Sequence, residues 1–130
     1  MKSKKILIAE DSLGYRLYLQ EIVENLGYDA VLVSNGKLAV ERLEKEKDFD
    51  LVILDIEMPE MNGMDVARRI RNYFSMPTKR IPILGLTAHT DELIIKKLLV
   101  FGFTNWISKD RPVEDIEGMI KKYVTTDVDG

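Results

Sequence analysis

The chain has 130 residues, 45% of them hydrophobic, the size of one domain that buries about two thirds of its unfolded surface without a disulfide or metal staple. A formal net charge of -3 and a pI near 5.3 speak against nucleic acid as a partner, and the absence of cysteine removes disulfides, thiolate metal sites and thiol catalysis. No apolar run reaches the ~20 residues of a membrane span, and the opening Met1-Lys2-Ser3-Lys4-Lys5 leads into a strand-length segment rather than a signal-peptide core, so a cytoplasmic location is expected.

In chain order, Lys5 to Ala9 (KILIA) predicts a strand buried on both faces, ending in the acids Glu10-Asp11. Ser12 is placed to cap a helix whose stripe is Tyr15, Tyr18, Leu19, Ile22, Val23 and Leu26, with Gly27 as its stop. Ala30 to Val33 predicts a short strand ended by Ser34-Asn35-Gly36, and Lys37 to Lys47 a helix turning Leu38, Ala39, Val40 and Leu43 inward. Asp50 to Asp55 predicts a third buried strand with a carboxylate at its C-terminal lip. Met58-Pro59 and Asn62-Gly63 break the chain there, before a helix from Met64 to Phe74 that buries Val66, Ala67, Ile70, Tyr73 and Phe74. Ser75 to Arg80 predicts a loop, and Ile81 to Thr87 a strand that tolerates Pro82 near its start. Thr90 is expected to cap a helix through Phe101, closed by Gly102. Thr104 to Ser108 predicts the last strand, and Pro112 opens a helix burying Val113, Ile116, Ile120 and Val124. The basic clusters Arg68-Arg69-Arg71 and Lys121-Lys122 read as solvated helix faces.

Five strands alternating with five helices imply parallel pairing through right-handed crossovers. The expected fold is a single doubly wound α/β domain over residues 1–124, of strand order 2-1-3-4-5, with a tail over 125–130. Its switch point lies between the first and third strands, which end in Glu10-Asp11 and Asp55, and ligands bind at such a point.

Three carboxylates converging there repel one another unless a cation sits among them, and hard oxygen donors of this kind suit Mg²⁺. Two further strand ends supply the hydroxyl of Thr87, beside the small Ala88, and the ammonium of Lys109. Acids, metal, hydroxyl and ammonium together equip the crevice for phosphoryl transfer to Asp55.

Glu10-Asp11, Asp55 within LDIEMPEMNG, Leu86-Thr87-Ala88 and Lys109, each at the end of the correct strand, give a chain that resembles the receiver domain of two-component response regulators from Ile6 to Val124. The resemblance implies a (βα)5 flavodoxin-like fold. It implies a signalling domain that takes a phosphoryl group onto Asp55 from a phosphohistidine on a histidine kinase or phosphotransfer protein. It further implies Mg²⁺ held by Glu10, Asp11, Asp55 and the backbone carbonyl of Glu57. By the same resemblance Thr87 and Trp106 form a switch that alters the face of the fourth helix, fifth strand and fifth helix, and Glu57 and His89 tune the lifetime of the acyl phosphate. Two positions depart from the family's usual pattern: an indole stands at Trp106, where Tyr or Phe is commoner, and Asp110 stands where Pro usually follows a cis bond. A trans Lys109-Asp110 bond is expected, because a non-proline cis bond costs ~2.5 to 4 kcal/mol.

Taken singly, Thr87 reads as a strand-end threonine, Lys109 as a surface lysine, His89 as a solvated loop residue and Trp106 as core or interface. The first five positions earn a functional reading only by their joint placement. The fourth helix carries more aliphatics than one stripe can bury, which allows either scattered exposed side chains or a self-association face next to Trp106. Two other functions remain open: an Mg²⁺-dependent aspartyl phosphatase, and a binding module that works without phosphorylation. The chain equally suits a stand-alone regulator and a receiver of a hybrid kinase.

Overall fold

Apolar residues run without a polar break along the inner strands, and every second side chain turns to the opposite face, so a sheet built from them must be covered on both sides. The computed structural model describes residues 3–88 and 90–124. Strands β1 (Lys5–Ala9), β2 (Asp29–Val33), β3 (Leu51–Asp55), β4 (Ile83–Thr87) and β5 (Asn105–Ser108) form one parallel sheet of order β2-β1-β3-β4-β5. Helices α1 (Leu13–Asn25), α2 (Gly36–Lys45), α3 (Gly63–Tyr73) and α4 (Glu92–Val100) are the crossovers, and α5 (Val113–Val124) follows the last strand.

Leu7, Ala9, Val52, Leu54 and Ile83 face one side and meet Val40 and Leu43 of α2, Val66 and Ile70 of α3 and Leu98 of α4. Ile6, Ile8, Leu51, Ile53 and Leu84 face the other and meet Leu19, Ile22 and Val23 of α1 with Ile116, Ile120 and Val124 of α5. Each such aliphatic side chain contributes about 1.5–3 kcal/mol when fully buried, so these two layers dominate the stability of the sheet. The doubly wound fold and strand order expected from the sequence are those observed.

Side-chain caps set most helix starts. Ser12 accepts from the amide of Tyr15, Asn35 from Leu38 and Asn62 from Asp65, each from an extended backbone. Gly27 and Gly102 take positive φ, 89° and 100°, at the two helix exits where the sequence placed stops.

Several boundaries and faces differ from expectation. Helix α2 starts at Gly36 and ends at Lys45, because Asn35 is its cap. Helix α4 is capped by Asp91 rather than Thr90, the Asp91 carboxylate accepting from Ile94 N at 2.9 Å. β4 begins at Ile83: Pro82 accepts from Val52 N but has no amide to extend the ladder. The Ser75–Arg80 loop contains a 3-10 turn, Thr78–Arg80, that buries Thr78. Leu38, Tyr73 and Val113 were expected inward and are exposed, Tyr73 at 79%, since α3 ends there and Phe74 turns in instead. On α4 only Leu98 is fully buried, while Leu93, Leu99 and Val100 face outward.

Candidate functional site

The site lies where β1 and β3 run side by side, Ala9 in register with Leu54, so that Glu10 and Asp55 leave the sheet as neighbours. Glu10 is 0% and Asp55 4% exposed, whereas Asp11 reaches solvent. Carboxylate oxygens of Glu10, Asp11 and Asp55 all lie within 4.8 Å of one another.

Lys109, following β5, brings the balancing charge. Its Nζ is 2.8 Å from Glu10 Oε1 and 3.4 Å from Asp55 Oδ2. The Glu10 contact is an ion pair by distance but lacks hydrogen-bond geometry, which leaves buried Oε1 without a hydrogen bond among the described residues. The other oxygen, Oε2, accepts from Ser12 N at 2.9 Å, and Asp55 Oδ1 accepts from Glu57 N at 3.2 Å. Burial first, and then the charge of Glu10, push the Asp55 carboxyl up to about 7 despite the opposing pull of Lys109. Burial draws the Lys109 ammonium down, but its bonds to Glu10 and Asp55 outweigh this and hold it above its usual value.

Thr87, the last residue of β4, is buried and aligned with Ser108, and its carbonyl accepts from Lys109 N at 2.9 Å. Thr87 and Asp11 line the same open cleft, about 490 Å³, together with Glu57, Met58, Asn62 and Ile94. The β3–α3 loop that forms one wall is tightly wound. Glu60 takes φ 66°, Met61 N donates to Pro59 O, and Gly63 N donates to Ile56 O.

The structure therefore gathers Glu10, Asp11, Asp55, Thr87 and Lys109, with Glu57 at the rim. Trp106 stands apart on β5, level with Gly85 of β4; it is half-buried against the core and lines a second cleft of about 740 Å³ with Arg111 and Met119. The Lys109-Asp110 bond is trans, the cis bond among the described residues being Met76-Pro77. His89 lies outside the described residues.

Sequence reasoning placed Tyr15 only on the helical stripe and missed its relation to the site. Its ring lies beneath the Lys109 ammonium, 4.8 Å from the centroid. Its position in the first turn after the acid pair, three residues past the capping Ser12, was the available signal.

Comparison with known proteins agrees with this geometry. The family model described as "Response regulator receiver domain" matches residues 6–121. The chain belongs to the response regulator receiver domain family. Among its relatives this receiver domain is 34% identical over 124 residues to the transcriptional regulatory protein CrdR of Helicobacter pylori, covering 95% of this chain and 56% of that one. It is 29% identical to sporulation initiation phosphotransferase F of Bacillus subtilis, covering 95% and 96%. Its backbone superposes on the signal receiver domain of a signal transduction histidine kinase from Syntrophus aciditrophicus with a TM-score of 0.86, at 30% identity and covering 95% and 92%. The chain thus spans little more than half of the first of these relatives and nearly all of the other two. As a receiver domain it is a phosphoacceptor-type signalling module. No described helix is long and apolar enough to cross a membrane.

The residues present fit a hard divalent cation. Three carboxylates share one ammonium, their oxygens lie close enough to meet at one ion, and buried Glu10 Oε1 has a lone pair that no hydrogen bond uses.

Proposed function

We propose that Asp55 accepts a phosphoryl group from a phosphohistidine on a histidine kinase or histidine phosphotransfer protein. Glu10, Asp11, Asp55 and the backbone carbonyl of Glu57 would hold Mg²⁺. The observation that carries this reading is the placement of Lys109 Nζ against both buried carboxylates, 2.8 Å from Glu10 and 3.4 Å from Asp55, at the mouth of the sheet.

In the transfer, an Asp55 carboxylate oxygen bonds to phosphorus and the P–N bond breaks, its electron pair returning to the imidazole, which leaves neutral once the ring carries one proton. Lys109 keeps a fixed positive charge beside the incoming oxygens, and the Thr87 hydroxyl donates to one of them. When bound, the cation offsets the repulsion between three carboxylates and an arriving anion. Water later cleaves the acyl phosphate, at a rate set by Glu57 and His89, so the chemistry on this chain is self-phosphorylation and autodephosphorylation. Unaltered dephosphorylation in Glu57→Ala and His89→Ala would remove that tuning role.

Movement of Thr87 toward the phosphoryl oxygens would reach Trp106 two positions back along the paired strand, and through it the face of α4, β5 and α5. The exposed Leu93, Leu99 and Val100 support a homodimer through that face, which gel filtration of the phosphorylated protein checks. We place the domain at 1–124 with a tail from 125 to 130, and the protein in the cytoplasm, where its phosphodonors work.

The deciding experiment is intact mass after incubation with phosphoramidate and Mg²⁺, with Trp106 fluorescence followed in the same samples. A single Mg²⁺-dependent phosphoryl adduct, absent from Asp55→Asn and accompanied by a fluorescence change, is expected. No adduct with any small donor would overturn the reading in favour of a binding module that works without phosphorylation.

A further inference from the structure

Lys109 meets three groups at the site, and only two of them are charged. Its ammonium lies 2.8 Å from Glu10 Oε1, 3.4 Å from Asp55 Oδ2 and 4.8 Å from the centroid of the Tyr15 ring. Glu10 and Asp55 are also the side chains that would hold the cation and, at Asp55, the phosphoryl group. Their pull on Lys109 therefore changes each time the site loads. The ring face of Tyr15 carries no charge to be neutralised and keeps its attraction for the ammonium throughout. We propose that Tyr15 is a positioning residue for phosphoryl transfer, its ring serving as the constant rest that keeps the Lys109 ammonium aimed at Asp55 while the carboxylates exchange partners.

The ring is itself held. Tyr15 packs against the core layer of α1 and α5, and its face meets Tyr18 at 5.4 Å between centroids, tilted by 51°. A lysine stem has four rotatable carbons, so without a rest the ammonium has many positions to sample. The phenol oxygen, by contrast, is buried and makes no hydrogen bond among the described residues. The hydroxyl anchors nothing, and the contribution to Lys109 belongs to the ring. Tyr15→Phe is for that reason the clean control: it keeps the rest and removes an unsatisfied buried polar atom, which itself favours the folded state.

This inference rests on Asp55 being the acceptor, and its test separates the two. Full-length wild type, Tyr15→Phe and Tyr15→Leu are compared by phosphoramidate labelling under saturating Mg²⁺, resolving maximal rate from donor affinity, and by NMR of the Lys109 side-chain methylenes without metal. In wild type and Tyr15→Phe the methylenes are shifted upfield by the ring and maximal rates agree within about twofold. In Tyr15→Leu the upfield shift disappears and the maximal rate falls about fivefold, with donor affinity little changed. Thermal unfolding establishes that each variant is folded, and Tyr15→Met replaces Tyr15→Leu should the latter not be. A folded ring-less variant with wild-type maximal rate overturns the proposal, as does a Tyr15→Phe protein as slow as Tyr15→Leu, which would assign the role to the hydroxyl. A wild type that takes no phosphoryl group overturns the acceptor reading and the positioning role with it, even where the upfield shift is seen.

Discussion

A Cβ placed on Gly63 would stand 2.5 Å from the carbonyl oxygen of Asp55. Helix α3 thus begins in contact with the backbone of the acceptor, closer than any residue with a side chain allows. Gly63→Ala is expected to push the loop away from β3, lowering stability by about 1–3 kcal/mol and slowing phosphorylation of Asp55. Urea unfolding with phosphoramidate labelling checks both. Gly36, whose Cβ would lie 2.1 Å from Met61 O, braces the same loop from α2, and Gly36→Ala should lose a similar amount.

Without metal, the raised Asp55 carboxyl makes the protein sensitive to pH in a definite direction. Its folded value, about 7, lies above the ordinary 3.8, so the protonated form favours folding. The stability it contributes is present below the ordinary value and is lost as pH rises through about 7. Metal-free wild type should therefore fall behind Asp55→Asn in melting temperature as pH goes from 5 to 8. Saturating Mg²⁺ at pH 8 should raise the wild type by several degrees and the variant far less. Parallel melting curves for the two proteins across that range would contradict this.

Glu60 is the one non-glycine residue with positive φ among those described, at 66°. An L side chain there is strained by about 1–2 kcal/mol, and glycine's entropy returns part of any relief. Glu60→Gly should raise stability by up to about 1 kcal/mol, and Glu60→Val should lower it. Thermal unfolding of the pair decides; a stabilised valine variant would show that the strain is not there.

Arg71 reaches from α3 to the opposite end of the sheet from the site. Its guanidinium donates to the carbonyls of Gly102, Lys79 and Ile81 and to Thr104 Oγ1, and burial draws its basicity below the usual value. Arg71→Met keeps the stem but leaves those acceptors short of a donor, an expected loss of about 2–4 kcal/mol by urea titration. A loss under 1 kcal/mol would mean that water replaces the guanidinium readily.

The strands were legible because KILIA and LVILD admit no other buried element of that length, and the five site residues because each stands at the end of one. Boundaries were less so. Thr90 and Asp91 are both good caps, and the choice between them depends on which backbone is extended. Tyr73 fits the apolar period of α3, but the helix stops there and Phe74 takes the inward place. The contact of Tyr15 with Lys109 joins residues 94 positions apart through the packing of α1 beside β5, which no local pattern records.

Glu10 and Asp11, Asp55, Thr87 and Lys109 come from four different strand ends that only the finished sheet brings together. A chain still emerging from synthesis, or one that has lost β5, lacks the ammonium and half the cleft while retaining every acid. Such a molecule has an aspartate but no acceptor. The phosphorylated population therefore counts only molecules that have completed folding, and the signal carries its own quality control.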